Sequence, residues 1–173
     1  MYGYAPIKIR LAILGSTGSI GRQTLQVVRS LPDRFTVIAL AAGQNIELLA
    51  KQVEEFKPQL VYYQTDAVSR QLECDAQFMP MEGMATYPNV DMVVIATSGI
   101  NGLFATLAAV KDGKTVALAN KEPLVMAGHI ITDEAEMSQA GLIPIDSEHS
   151  ALFQCMTGEP RAAKYIILTA SGG

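Results

Sequence analysis

Ile7-Lys8-Ile9-Arg10-Leu11-Ala12-Ile13-Leu14 runs without a break into Gly15-Ser16-Thr17-Gly18-Ser19-Ile20-Gly21 and then into Arg22-Gln23-Thr24-Leu25-Gln26-Val27-Val28-Arg29. The first stretch reads as a strand and the last spaces its apolar residues like a helix, so the order is strand, glycine loop, helix. Glycines allow a tight turn and bring backbone N–H groups against a pyrophosphate at the helix N-terminus, where unpaired amides and the dipole favour negative charge. The spacing is GxxGxxG, a relative of the GxGxxG form. Such a turn can also serve packing alone, so a nucleotide needs further signals.

One signal comes from the second strand, Thr36-Val37-Ile38-Ala39-Leu40-Ala41-Ala42. An acid near its end, roughly 20 residues past the loop, would hold the ribose 2′-hydroxyl of NAD. Here the strand runs into Gly43-Gln44-Asn45, small and neutral groups where an acid would repel a 2′-phosphate. That favours NADP. Asn45 also suits the cap of a helix beginning near Ile46.

Strand and helix then alternate: a helix over Ile46–Phe56, a strand at Leu60-Val61-Tyr62-Tyr63, a short helix near 67–72, a buried strand at 91–96, a helix over 102–111 and a strand at 115–119. Residues 77–87 carry no clear period. This order implies right-handed βαβ units and a doubly wound, mostly parallel α/β sheet. Ligands of such sheets collect beyond the carboxyl ends of the strands. Those ends are 15–21, Gly43-Gln44-Asn45, Thr97-Ser98-Gly99-Ile100-Asn101, Asn120-Lys121-Glu122 and Asp146-Ser147-Glu148, each polar or glycine-rich. Pro123 suits a first helical position, which puts Lys121 just before a helix start, where the dipole opposes a cation by about 0.3–1 kcal/mol. An anionic ligand would offset that; the plainer reading is an exposed loop ion pair with Glu122.

The last of these ends follows an apolar run, Leu142-Ile143-Pro144-Ile145. Were the backbone still extended, Asp146 and Glu148 would share a face and could bind one hard cation. Equally, Asp and Ser favour an N-cap and Glu a first helical turn, so the same residues read as a helix start.

Of 173 residues, 49% are apolar and 17% charged, enough to bury a sizeable core in one domain or one plus a fraction. A net charge of −4 without a basic run argues against a nucleic-acid surface or a polybasic membrane anchor. There is no run of eighteen apolar residues, and Met1-Tyr2-Gly3-Tyr4-Ala5-Pro6 does not read as a signal peptide, so a cytoplasmic location is expected. Cys74 and Cys155 fit reduced thiols. Semialdehyde dehydrogenases pair a glycine loop with a cysteine nucleophile, but Cys155 lies late in the helical stretch 151–156 and reads as core.

Taken together, Gly15-Ser-Thr-Gly-Ser-Ile-Gly21, Ala42-Gly-Gln-Asn45, Leu118-Ala-Asn-Lys-Glu122, Asp146-Ser-Glu-His-Ser150 with Ala151-Leu-Phe-Gln154, and Thr169-Ala-Ser-Gly-Gly173 give a chain that closely resembles the 1-deoxy-D-xylulose 5-phosphate reductoisomerase family. The resemblance implies a Rossmann-like NADPH-binding domain over 1–145 and, over 146–173, the first elements of an α+β catalytic domain. Thr17, Gly18, Ser19 and Ile20 would hold the pyrophosphate, Gly43, Gln44 and Asn45 would lie by the adenosine ribose, and Asn120 and Glu122 would contact the nicotinamide half. Lys121, Ser147 and Ser171 would bind a small phosphorylated sugar, and Asp146 and Glu148 would ligate Mg²⁺ or Mn²⁺, with Lys121, Asp146 and Glu148 as the catalytic groups. In the family the ion chelates the substrate's carbonyl and hydroxyl oxygens while the skeleton rearranges, and NADPH reduces the resulting aldehyde to 2-C-methyl-D-erythritol 4-phosphate. Oxygen ligands suit such an ion.

Two departures stand out. Many members carry Lys or Arg where this chain has Gln44, so weaker discrimination of NADPH over NADH is expected. Members also continue beyond Ser-Gly-Gly into a half that supplies a third carboxylate ligand, a lid and the homodimer sheet. Lys164-Tyr165-Ile166-Ile167-Leu168-Thr169-Ala170 reads as a strand with no partner in sight. The expectation is therefore a fragment that binds NADPH without turnover. The alternative is a stand-alone dinucleotide-binding or redox-sensing module whose carboxylates cap a helix. A short-chain dehydrogenase is disfavoured, because no Tyr-x-x-x-Lys pair occurs. His129 and His149, without a fixed partner, read as structural.

Overall fold

The structure, a computed structural model, describes residues 8–64, 72, 74–157 and 163–167. Its strands are β1 Ile9–Leu14, β2 Phe35–Ala42, β3 Leu60–Tyr63, β4 Gln77–Phe78, β5 Met92–Ile95, β6 Thr115–Leu118 and β7 Leu142–Pro144. The helices are α1 Ser19–Ser30, α2 Ile46–Phe56, α3 Met81–Ala85, α4 Leu103–Lys111, α5 Glu122–Ser138 and α6 Ser147–Met156, with a 3-10 turn at Gly99–Gly102. All strands are parallel, in the order β4-β3-β2-β1-β5-β6-β7. The order grows outward from β1 in both directions, so the winding reverses between β1 and β5, and every carboxyl end faces one edge.

Both faces of the sheet are buried, which is why its strands are continuous apolar runs. Leu11 and Ile13 of β1 and Val94 of β5 meet Leu25 and Val28 of α1 and Leu49 and Val53 of α2. Ala12, Leu14, Val93 and Ile95 turn the other way, toward α3, α4 and α5. Fully burying a side chain such as Ile13, Leu14 or Ile95 contributes about 1.5–3 kcal/mol. One irregularity interrupts this alternation. Leu11 pairs with Val37 but Ala12 pairs with Ala39. Ile38 is therefore an inserted residue, and it joins Ala39 on the same face.

At the opposite edge of the sheet Arg10 clasps Asp91: Nε and Nη2 donate to the two carboxylate oxygens at 2.9 and 2.7 Å, and the Arg10 backbone N–H adds a third bond at 2.8 Å. Hydrogen bonding from Arg10 holds the Asp91 carboxyl below its ordinary range. The pair ties β1 to β5 directly beneath the point where winding reverses.

The expected elements over 9–63, 91–118 and 142–144 are present, with differences at their ends. α1 begins at Ser19, so the last three of the seven residues of the quoted glycine loop are already helical. The unreadable stretch 77–87 holds the two-residue β4 and the five-residue α3. Ile7 and residues 67–71 of the expected short helix lie outside the described residues, and Leu72 is not helical. Residues 163–167 form no strand, while 168–170 of that expected strand are outside the described set. Cys155 is exposed, not core, because α6 buries none of its residues.

Candidate functional site

The glycine loop works by close approach. Gly15 has φ of 95°, and a Cβ there would press on the Ala96 carbonyl and come within 2.8 Å of the Thr97 nitrogen. A Cβ on Gly21 would strike the Gly15 oxygen and lie 2.6 Å from the Ser16 Cα. Only glycine lets α1 start so near β1 and lets β1 and β5 end so near each other. The Gly15 and Ser16 amides donate to the Ala41 carbonyl at 2.9 and 2.8 Å. α1 has no side-chain cap and no acid in its first turn, so the amides of Ser19, Ile20 and Gly21 have no acceptor among the described residues. A helix start left open in this way can receive an anion.

A cleft of about 240 Å³ opens above this loop, lined by Gly15, Thr17, Gly18, Gly43, Thr97 and Asn101 among others. Gln44 and Asn45 are exposed beside it, and Asn45 Oδ1 accepts the Leu48 amide at 3.1 Å, capping α2 as expected. On the cleft wall Thr97 Oγ1 is, among the described residues, the buried side-chain polar atom without a partner.

At the end of β6, Asn120 is buried and its amide is committed twice. Nδ2 donates to the Gly99 carbonyl at 2.9 Å and Oδ1 accepts the Glu122 amide at 3.0 Å. It thus fixes the start of α5 to the end of β5. Lys121 occupies the N-cap of α5 with Glu122 and Pro123 following. It forms no ion pair among the described residues, so the plain loop-pair reading with Glu122 fails and a cation stands against the helix dipole. Ala127, with φ of −143° and ψ of 29°, breaks α5 one turn later and sets its opening turn apart from the rest.

Asp146 and Glu148 do not share a face of an extended strand. Asp146 is the N-cap of α6, and Ser147 and Glu148 are in its first turn. A strand ending at Pro144 before Asp-Ser-Glu favours the cap, because the Asp146 carboxylate accepts the His149 amide at 3.3 Å. The same oxygen, Oδ2, lies 2.6 Å from His149 Nδ1, and Oδ1 has no partner among the described residues. His149 therefore has the fixed partner that the sequence did not reveal. Lys121, Asp146 and His149 border one hollow of about 270 Å³ whose floor is Leu118, Leu142 and Leu152. No group of three or more His, Cys, Asp or Glu suited to a metal occurs among the described residues. Ser171 lies outside the described residues.

Sequence reasoning missed the support beneath the loop. Ser16 Oγ donates to Gln52 Oε1 at 2.7 Å and Gln52 Nε2 returns a bond to the Ser16 carbonyl at 2.9 Å, both buried. The available signal was a glutamine on the apolar face of α2, between Leu49 and Val53. Tyr62, Gln64 and Met81 also line the cleft above the loop.

Residues 11–128 match the family model described as 1-deoxy-D-xylulose 5-phosphate reductoisomerase, and residues 142–173 match that of its C-terminal domain. The chain belongs to the 1-deoxy-D-xylulose 5-phosphate reductoisomerase family. The reductoisomerase of Pelotomaculum thermopropionicum is 45% identical over 174 residues, covering 94% of this chain and 45% of that protein. The chain thus spans under half the length of this relative. A crystal structure of a reductoisomerase with magnesium superposes with a TM-score of 0.84 at 37% identity, over 90% of this chain and 41% of that one. Another, with NADPH, fosmidomycin and magnesium, gives 0.83 at 38% identity, over 89% and 40%. The fold is α/β, as expected, and no described helix is long and apolar enough to cross a membrane.

Proposed function

We propose that these residues form the NADPH-binding part and the first catalytic elements of a cytoplasmic, homodimeric reductoisomerase that converts 1-deoxy-D-xylulose 5-phosphate to 2-C-methyl-D-erythritol 4-phosphate. The observation that carries the reading is the uncapped start of α1 beneath the cleft where winding reverses, with Lys121 and Asp146 ending strands on the same edge. In this reading the domain boundary falls between 145 and 146. Thr17, Gly18, Ser19 and Ile20 hold the pyrophosphate through backbone amides, and Gly43, Gln44 and Asn45 border the ribose. The bare amides at the start of α1 fit an anionic group in that cleft. Asn120 positions Glu122 for the nicotinamide end, and Lys121, with Ser147 and Ser171, receives the phosphorylated sugar.

Asp146 Oδ1 and Glu148 supply two hard oxygen donors that suit Mg²⁺ or Mn²⁺. When bound, such an ion polarises a carbonyl as a Lewis acid. His149 holds the other Asp146 oxygen and so orients the carboxylate, the usual task of a partner behind a ligand. Lys121 places a fixed positive charge where an alkoxide develops. With two of the ion's ligands among these residues, the 173-residue chain binds NADPH and does not turn over. The test is to mix it with NADPH, Mn²⁺ and 1-deoxy-D-xylulose 5-phosphate. NADPH binding without oxidation is expected; steady NADPH consumption would contradict it.

A further inference from the structure

A groove of about 400 Å³ runs between α1 and α2, outside the cofactor cleft. Both helices begin at the carboxyl edge of the sheet, so the groove's upper end lies between Arg22 on α1 and Leu48 on α2, next to the glycine loop and to Asn45. Three cations, Arg22, Arg29 and Lys51, line it against one acid, Glu55. At the lower end Arg29 is spent, donating through Nε and Nη2 to both Glu55 oxygens. The side chains of Arg22 and Lys51 have neither a hydrogen bond nor an ion pair among the described residues. Glu47, one turn before Lys51, has an interaction of its own. Two cations without an ion pair among the described residues therefore flank the end of the groove nearest the helix start that would take a pyrophosphate; Lys51 also borders the hollow that holds Glu47 and Glu54 on the other side of α2. Arg22 directly follows Gly21 in a turn without acids, where the dipole opposes its charge. An anion between the helix starts would satisfy both.

Resting on the NADPH reading, we propose that Arg22 and Lys51 bind the cofactor's 2′-phosphate, supplying from the α1–α2 groove the positive charge that Gln44 lacks. Gly43, Gln44 and Asn45 contribute no charge, so a phosphate beside the ribose must take its counter-charge from a neighbouring element. The Arg22 guanidinium offers a planar fork to phosphate oxygens and Lys51 a mobile point charge. This replaces the weaker discrimination expected from Gln44 alone with discrimination maintained from another element.

The test is titration of the full chain and its Arg22→Gln, Lys51→Gln and double variants with NADPH and NADH, and with adenosine 2′,5′-bisphosphate and adenosine 5′-monophosphate as short probes. Both side chains are exposed, so the variants should fold, and circular dichroism checks that. The double variant is expected to bind NADPH and the bisphosphate at least tenfold more weakly while NADH and the monophosphate change less than twofold. Gln44→Lys is expected to restore NADPH binding in the double variant and to add less than threefold to the wild type. Equal weakening of all four ligands, or unchanged NADPH binding, overturns the assignment. A wild-type chain that binds no nucleotide instead overturns the cofactor reading on which it rests.

Discussion

Single atoms decide this site. A methyl group at Gly21 meets backbone of the loop, with no flexible side chain to move aside, so Gly21→Ala should destabilise by about 1–3 kcal/mol and abolish nucleotide binding; denaturant unfolding and NADPH titration read the two effects. Gln52→Leu leaves a buried hydroxyl and carbonyl of Ser16 without partners, at about 1–3 kcal/mol, and should weaken NADPH binding although Gln52 does not line the cleft. At Asp146 two roles separate. Asp146→Asn keeps a capping oxygen, so helix content should hold while Mn²⁺ affinity falls; Asp146→Ala should lose the cap as well, about 1 kcal/mol. Equal Mn²⁺ binding by wild type and the Asn variant would remove Asp146 from the metal site. The glycines were legible in the sequence because φ and close approach leave no other residue. The Ser16–Gln52 and Asp146–His149 pairs were not, since each depends on how side chains meet once the backbone is placed.

Among elements, those with a strong period were readable. β1, β2 and α2 follow from continuous apolar runs and from Asn45 at a helix start. β4 and α3 are too short to show a period, and the start of α6 was ambiguous because Asp-Ser-Glu serves a strand end and a helix cap equally well. The break at Ala127 is marked in the sequence only by Gly128 beside it, and a lone glycine does not by itself say that a helix breaks. At the lower edge, the Asp91 carboxyl is held below its unfolded value of about 3.9 by Arg10, so the pair's contribution is complete above that pH and is lost as pH falls through the folded value. Asp91→Asn should therefore lower the Tm by a constant amount between about pH 5 and 7, with the gap closing below about pH 4. The side chains are 39% exposed, so the gap should also shrink in high salt. A gap that persists at low pH would mean that packing, not charge, links β1 to β5.

For the whole molecule, one parallel sheet gathers the glycine loop, the Asn120-Lys121-Glu122 turn and the Asp146 cap on a single edge, although they lie far apart in the chain. That convergence was readable from the alternation of strand and helix. The division of the edge into a polar cleft and an apolar-floored hollow, joined by Asn120, was not, because it depends on where α5 and α6 begin relative to the strands. The most direct test is calorimetric titration of the chain with NADPH and with NADH, repeated in Mn²⁺. NADPH should bind through the glycine-loop cleft with an affinity that Mn²⁺ leaves unchanged and that Gly21→Ala removes; failure of both nucleotides to bind a folded chain would contradict the assignment of that cleft to the cofactor.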